Sequence, residues 1–331
     1  MKRFLDLADF TRAEVLSLLE LARRLEKQPE PHALTGRILG LVFFNPSLRT
    51  LASFQAAMAR LGGSSFVITP GQGTWQLETR LHAVMDGAAA EHIREGIPAL
   101  ASYCDALGVR AFADGKSLEA DLDESLFRAI DQLCDRPLIN MESAMNHPCQ
   151  ALADWRTLDE LAVPNRARFV LSWVYHPRAL PLAVPAATLH MAAMRGMDVV
   201  VARPEGFALP PAVMDKARAA ANAAGGSVSE TADRAAALEG ASIVYAKEWG
   251  TTAHYGDADA DARLRAELKD WCVRERWFET ALPDAKFMHC LPVRRNVAVA
   301  DEVLDGARAV VRQEARNRLT VQTAVLHRML A

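Results

Sequence analysis

The sequence predicts an α/β protein of two domains, each a parallel sheet layered with helices, and three observations carry that prediction. The chain has 331 residues, more than one hydrophobic core usually organises. Half of those residues are hydrophobic, enough for a sizeable core in each of two domains. Apolar runs of strand length alternate with helical patterns, and they do so in two separate series.

The first series opens with residues 37–44, RILGLVFF, the continuous apolar pattern of a strand covered on both faces. Leu51, Phe54, Met58 and Leu61 then recur at helical spacing, predicting an amphipathic helix. Further strands are expected at 65–68, 106–112 and 137–139, with a helix over 91–103. A helical stretch over 143–161 links to the second series, whose strands are expected at 168–174, 197–202, 241–246, 286–290 and 309–312. The Ala-rich tracts 217–224 and 235–237 suit helices. Residues 317–330 read as a terminal helix that packs back. The expected divisions are therefore 1–143, 144–316 and a closing helix at 317–331.

Composition narrows the partners. Lys+Arg 38 against Asp+Glu 41 gives a net charge of -3 with no basic block, which argues against nucleic acid and acidic membrane surfaces and for a small polar ligand. The first residues, MKRFLD, lack a signal-like apolar stretch, and no run of about 18 apolar residues occurs, so a soluble, cytoplasmic protein is expected. Five scattered cysteines without a C-x-x-C pair predict reduced thiols and no zinc site. Neither G-x-G-x-x-G nor G-x-x-x-x-G-K-[ST] is present, so no nucleotide fingerprint appears.

Chemistry-bearing residues fall at the expected strand ends, where ligands of such folds bind. Residues 43–50, FFNPSLRT, place Ser47, Arg49 and Thr50 where a strand gives way to a helix, a setting that suits a bound phosphate. A Ser47 helix cap with a solvated Arg49 accounts for that tetrapeptide equally well. Arg110 closes ALGVR; His147 and Gln150 lie in NHPCQ; Cys290, Arg294 and Arg295 lie in HCLPVRRN. Pro148 suits the first helical position, which puts His147 at the cap and Gln150 three residues on, facing the same way.

Taken together, FFNPSLRT, HPCQ, HCLPVRRN and EARNR resemble the carbamoyltransferase family, in this order and over nearly the whole chain. The resemblance implies a first domain that binds carbamoyl phosphate, a second that binds an amine acceptor, and a homotrimer with active sites between subunits. It gives Ser47, Leu48 (through its backbone), Arg49 and Thr50 to the phosphate, Arg110 and His147 to the carbamoyl oxygen, Gln150 to the carbamoyl amide and Arg318 to an assisting role. Cys290 and Leu291 would offer backbone carbonyls to the carbamoyl nitrogen or attacking amine, the Cys290 thiol being a packing group. No metal or organic cofactor is implied. A non-catalytic binding paralogue is the competing class, and the intact set Arg49, Arg110, His147, Gln150 and Arg318 argues against it. A nicotinamide oxidoreductase, suggested by two α/β domains alone, lacks its glycine fingerprint.

The acceptor is read in the same way. YAKEWG stands where ornithine enzymes carry D-x-x-x-S-M-G, and GQGTWQLET brings Trp75 where aspartate enzymes carry a lysine loop. Both substitutions resemble the acylornithine carbamoyltransferases, in which a tryptophan reaches a neighbouring subunit's carbamoyl phosphate. By that resemblance Glu142 and Lys247 contact the acylornithine, with Arg294 in the same site. Ala90 replaces the glutamate of acetyl-type and the proline of succinyl-type enzymes; Ala298 replaces an acetyl-type lysine; and HPRALPLAVP, with Pro181 and Pro185, resembles the succinyl type. Arg178 could pair with a distal carboxylate, though a basic residue occurs there in both types. N-succinylornithine is the expected acceptor and N-acetylornithine the nearest alternative. Leu51 and Arg316 depart from the family, which usually has arginine and glutamate there.

Overall fold

In the computed structural model, which describes residues 1–331, the first series of apolar runs forms one wholly parallel five-stranded sheet. Its elements are β1 (Arg3–Phe4), α1 (Arg12–Lys27), β2 (Ile38–Phe43), α2 (Leu48–Arg60), β3 (Ser64–Ile68), the short pair β4 (Leu77–Glu78) and β5 (Glu91–His92), α3 (Ile93–Ser102), β6 (Ala106–Arg110), α4 (Leu118–Leu122), α5 (Ser125–Leu133) and β7 (Leu138–Glu142). The sheet runs β1-β7-β6-β2-β3. Leu39, Leu41 and Val42 on β2 and Leu107 and Val109 on β6 are fully buried, as strands covered on both faces require.

The second series contains α6 (Pro148–Glu160), β8 (Arg168–Trp173), α7 (Ala183–Arg195), β9 (Asp198–Ala202), α8 (Pro211–Ala224), β10 (Ser227–Thr231), α9 (Arg234–Leu238), β11 (Ile243–Lys247), α10 (Ala258–Ala266), β12 (Lys286–Met288), α11 (Asp301–Leu304) and α12 (Val311–Leu330). Its sheet is also parallel, in the order β10-β9-β8-β11-β12. Helix α7, AVPAATLHMAAMR, is apolar nearly all round and is buried along its whole length. Gly196 and Gly225, at φ 88° and 76°, take the left-handed conformation that ends α7 and α8.

The chain divides into unit 1 (1–114, 119–149 and 318–331) and unit 2 (115–118 and 150–317). The divisions fall inside α6 and α12, at 149/150 and 317/318, where the sequence reading put them at 143/144 and 316/317. Each of these helices is continuous and contributes its two ends to different units. Within unit 1, the end of α12 meets α1, with Arg328 Nη2 donating to Ser17 Oγ at 3.0 Å. No helix is long and apolar enough to cross a membrane.

Both sheets contain a point where strand order reverses. In unit 1 it lies at β2, flanked by β3 and β6; in unit 2 it lies at β8, flanked by β9 and β11. The crevices outside the C-terminal ends of these strands are the expected ligand sites. They are where FFNPSLRT, Arg110 and Lys247 sit.

Several expectations are corrected. No strand spans 309–312: Ala309 makes a single bridge to Phe287, and α12 begins at Val311, leaving no length for pairing. For the same reason the terminal helix starts at 311 rather than 317. The linking helix starts at Pro148 and not at 143, because proline lacks the N–H that an interior helical position would need. Helix α2 begins three residues before Leu51, capped by Ser47. Strand β7 continues past Ile139 to Glu142, which places that carboxylate at a strand end.

Candidate active site

The unit 1 site begins at the cap of α2. Ser47 is extended, at φ -156° and ψ 118°, and its Oγ accepts from the Thr50 backbone N–H at 3.3 Å. The serine therefore does cap the helix, as one reading of the tetrapeptide held, while the same turn carries Arg49 and a fully buried Thr50. Arg318, on α12, donates through Nη2 to Thr50 Oγ1 at 2.7 Å. Asn45 Oδ1 accepts from the Phe112 N–H at 2.8 Å, tying the loop after β2 to the segment after β6. Leu48 is 81% exposed, so its side chain adds little packing and its main chain is what the turn supplies.

Strand register brings in the next group. Arg110 pairs with Phe43 on one side and Glu142 on the other, the β6–β7 ladder shifting register between Val109 and Arg110. The Arg110 guanidinium is buried, ion-paired with Glu142, and lies 4.4 Å from the Phe112 ring centroid. His147 Nε2 is 3.3 Å from the same Glu142 carboxylate. Glu142 thus gathers the arginine and the histidine that sequence reasoning assigned to one carbonyl oxygen, a pairing only strand register reveals.

Electrostatically this is a cationic cup. Burial pulls the Arg318 pKa down; Cys149 and Glu142 act to raise it, and Arg110 and Arg49 lower it further. Three guanidinium groups thus share the region with one carboxylate, which suits a dianion. Burial pushes the Cys149 thiol up to about 12, so it remains protonated and is no nucleophile.

Unit 2 gathers a second group at its own strand ends. Lys247 closes β11, with Nζ 3.3 Å from Glu248 Oε1, and His289, after β12, has Nε2 3.4 Å from Glu248 Oε2. All three are buried. Burial by itself raises the Glu248 pKa, but Lys247 and His289 outweigh it and hold the carboxyl far below its ordinary range. Ionised Glu248 therefore contributes stability fully above pH 4.5, its ordinary value, and progressively less as pH falls below it. In urea denaturation, wild-type stability is expected to fall more steeply than that of Glu248→Gln as pH drops from about 5 to about 3. Parallel pH profiles would refute this.

His176, which sequence reasoning did not single out, organises the basic residues. Arg294 Nε donates to His176 Nε2 at 2.9 Å, and His176 Nδ1 lies against both main-chain groups of Arg178, 2.9 Å from its carbonyl oxygen and 3.1 Å from its nitrogen. Burial lowers the His176 pKa, which favours the neutral ring that Arg294 needs as its acceptor. The Arg178 side chain is exposed. Cys290 and Leu291 follow His289, whose Nδ1 accepts from the Leu291 N–H at 2.9 Å, and Leu291 has φ 55° before a cis bond to Pro292. Gln150 is buried in the first turn of α6.

The remaining sequence candidates lie on exposed chain or at structural contacts. Trp75 is 61% exposed, and its Nε1 donates to Glu91 at 2.7 Å, which brings the ring to the residue after Ala90. Ala90 is also exposed. Ala298 is buried, its N–H donating to the Arg294 carbonyl at 2.9 Å. Leu51 donates its N–H to the Ser47 carbonyl at 3.3 Å, and Arg316 pairs with Glu160 at 3.1 Å.

These features define a two-domain α/β protein with a guanidinium cup at the strand ends of one unit and a buried ionic group at those of the other. Residues 2–160 match the family model of the aspartate/ornithine carbamoyltransferase carbamoyl-P binding domain, and residues 184–329 that of the Asp/Orn binding domain. The chain belongs to the aspartate/ornithine carbamoyltransferase family, within its acylornithine branch. It is 37% identical to an N-acetylornithine carbamoyltransferase of Xanthomonas campestris pv. campestris, over 98% of this chain and 97% of that one. It is 36% identical to an N-succinylornithine carbamoyltransferase of Bacteroides thetaiotaomicron, over 100% and 99%. A crystal structure of an N-acetyl-L-ornithine transcarbamylase with one glutamate changed to alanine, complexed with carbamyl phosphate and N-succinyl-L-norvaline, matches with a TM-score of 0.95 and 36% identity, covering 99% of this chain and 100% of that one.

Proposed function

We propose that the protein transfers the carbamoyl group of carbamoyl phosphate to the side-chain amine of N-succinylornithine, giving N-succinylcitrulline and phosphate in arginine biosynthesis. The observation that carries the reading is the meeting of Arg49, Arg110 and Arg318 around the capped start of α2. Such a cup suits a phosphate that gains charge as it leaves.

The lone pair of the neutral amine forms the new C–N bond at the carbamoyl carbon, the carbonyl π electrons move to oxygen, and the C–O bond to phosphate then breaks as the nitrogen loses a proton. The site must therefore stabilise an oxyanion and a leaving phosphate. Ser47, the Leu48 main chain, Arg49, Thr50 and Arg318 bind phosphate. Arg110 and His147 donate to the oxyanion, and Gln150 accepts from the carbamoyl NH₂. Cys290 and Leu291 offer main-chain carbonyls, while Glu142, Arg178, Lys247 and Arg294 bind the acylated amino acid. Acylation removes the α-ammonium charge and leaves one amine to react. Trp75 serves a neighbouring subunit's carbamoyl phosphate in a homotrimer, a role its exposed ring permits.

For the acyl group, Ala90 and Ala298 remove the glutamate and lysine of acetyl-type enzymes, and Pro181 and Pro185 stand in the loop before and within the first turn of α7. The transcarbamylase that holds a succinylated ligand once a glutamate has become alanine supports this choice. N-acetylornithine is the second reading, favoured by the similar identity to the Xanthomonas enzyme and by Ala90 being neither glutamate nor proline. The test is ureido-product formation from carbamoyl phosphate with ornithine, N-acetylornithine, N-succinylornithine or aspartate. Activity confined to N-succinylornithine is expected; preference for N-acetylornithine reverses the acyl assignment, and inactivity with all four supports a binding-only paralogue.

A further inference from the structure

One buried group in unit 2 has no part in the roles given so far. Asp154 and Glu314 are 0% and 1% exposed. Asp154 lies one helical turn after Gln150, whose Nε2 donates to Asp154 Oδ1 at 2.7 Å. Glu314, in the first turn of α12, accepts the His289 backbone N–H through Oε2 at 2.9 Å. Glu314 Oε1 and Asp154 Oδ2 are both buried, and the Asp154 carboxyl lies close enough to act on that of Glu314.

Two carboxyl oxygens form a hydrogen bond only with a proton between them, and adjacent buried carboxylates resist ionising together. Burial, followed by the neighbouring Asp154, drives the Glu314 pKa far above its ordinary value, which favours a proton held between the two groups. Toward Gln150, Asp154 Oδ1 is the acceptor. An acceptor takes the NH₂ end of the Gln150 amide and excludes its oxygen. Gln150 Oε1, buried, makes no hydrogen bond within the protein.

We infer that Glu314 and Asp154 are positioning residues that lock the Gln150 amide with its oxygen as the acceptor, so that the site selects a carbamoyl group, with its NH₂ donor, over an acyl group of the same shape. This rests on the proposed role of Gln150 toward the carbamoyl amide. Glu314 at the same time fixes His289, and with it the main chain leading to Cys290 and Leu291. The selected feature is the NH₂ of carbamoyl phosphate, which acetyl phosphate replaces with a methyl.

The test compares the KM for carbamoyl phosphate with inhibition by acetyl phosphate. Asp154→Asn keeps the shape but can present a donor, which lets the Gln150 amide turn. The KM for carbamoyl phosphate is expected to rise about tenfold, the scale of one neutral hydrogen bond, with the acetyl phosphate inhibition constant unchanged. Glu314→Gln can still donate to Asp154 and accept from His289, so it is expected to keep the wild-type KM; Glu314→Met, which removes the donor, is expected to behave as Asp154→Asn and serves if that variant does not fold. A parallel rise in both constants, or no change in either variant, overturns the inference. Absence of carbamoyl transfer in the wild type would instead overturn the underlying functional reading.

Discussion

His147→Ala is expected to lower turnover about 10²- to 10³-fold, the loss seen when one donor to a developing oxyanion is removed, while the protein stays folded. Folding should survive because Glu142, the carboxylate 3.3 Å from the imidazole, keeps its ion pair with Arg110 and is not left as an isolated buried charge. The histidine's contribution is spent on charge that exists only after the amine attacks. Accordingly kcat and kcat/KM for carbamoyl phosphate should fall together, with little change in ground-state binding. Steady-state kinetics on a variant shown by circular dichroism to be folded would check this. Undiminished turnover in that variant would remove His147 from the mechanism.

The parts of the candidate site that residue pattern alone exposes are local. FFNPSLRT combines a strand end, a turn and a helix start, and NHPCQ holds the start of α6 at Pro148; strand burial and helix capping follow from such residues. Lys247 follows the apolar run 241–246, but its place in the site came from the family resemblance of YAKEWG. Other features depend on neighbours distant in sequence. Nothing near Glu142 announces that register will set it beside Arg110, and the His176–Arg294 hydrogen bond joins residues from opposite ends of unit 2. Strand β10, SVSET, sits at a sheet edge with residues only partly covered, so it lacks the apolar run by which its inner neighbours were found. Residues 309–312 failed in the other direction. They are apolar enough for a strand, but a helix claims Val311.

The second large effect concerns the acceptor. Ala90→Glu is expected to lower the ratio of kcat/KM for N-succinylornithine to that for N-acetylornithine about 10²-fold. Two carboxylates about 5 Å apart at an effective dielectric near 20 repel by about 3 kcal/mol, and only the succinyl substrate brings the second charge. The acetyl substrate meets the same new glutamate without that repulsion, so the ratio isolates charge from any general disturbance of the loop. Ala90 is exposed and precedes Glu91, the partner of Trp75, so the substitution buries no charge in this chain and stability should change by less than about 0.5 kcal/mol. Screening supplies an internal control, because a Coulombic effect at a site open to solvent should shrink as salt is raised through about 0.5 M. A ratio that does not move, or one that moves without salt dependence, would place acyl selection away from Ala90. It would leave Ala298 and the proline loop before α7 as the elements to exchange.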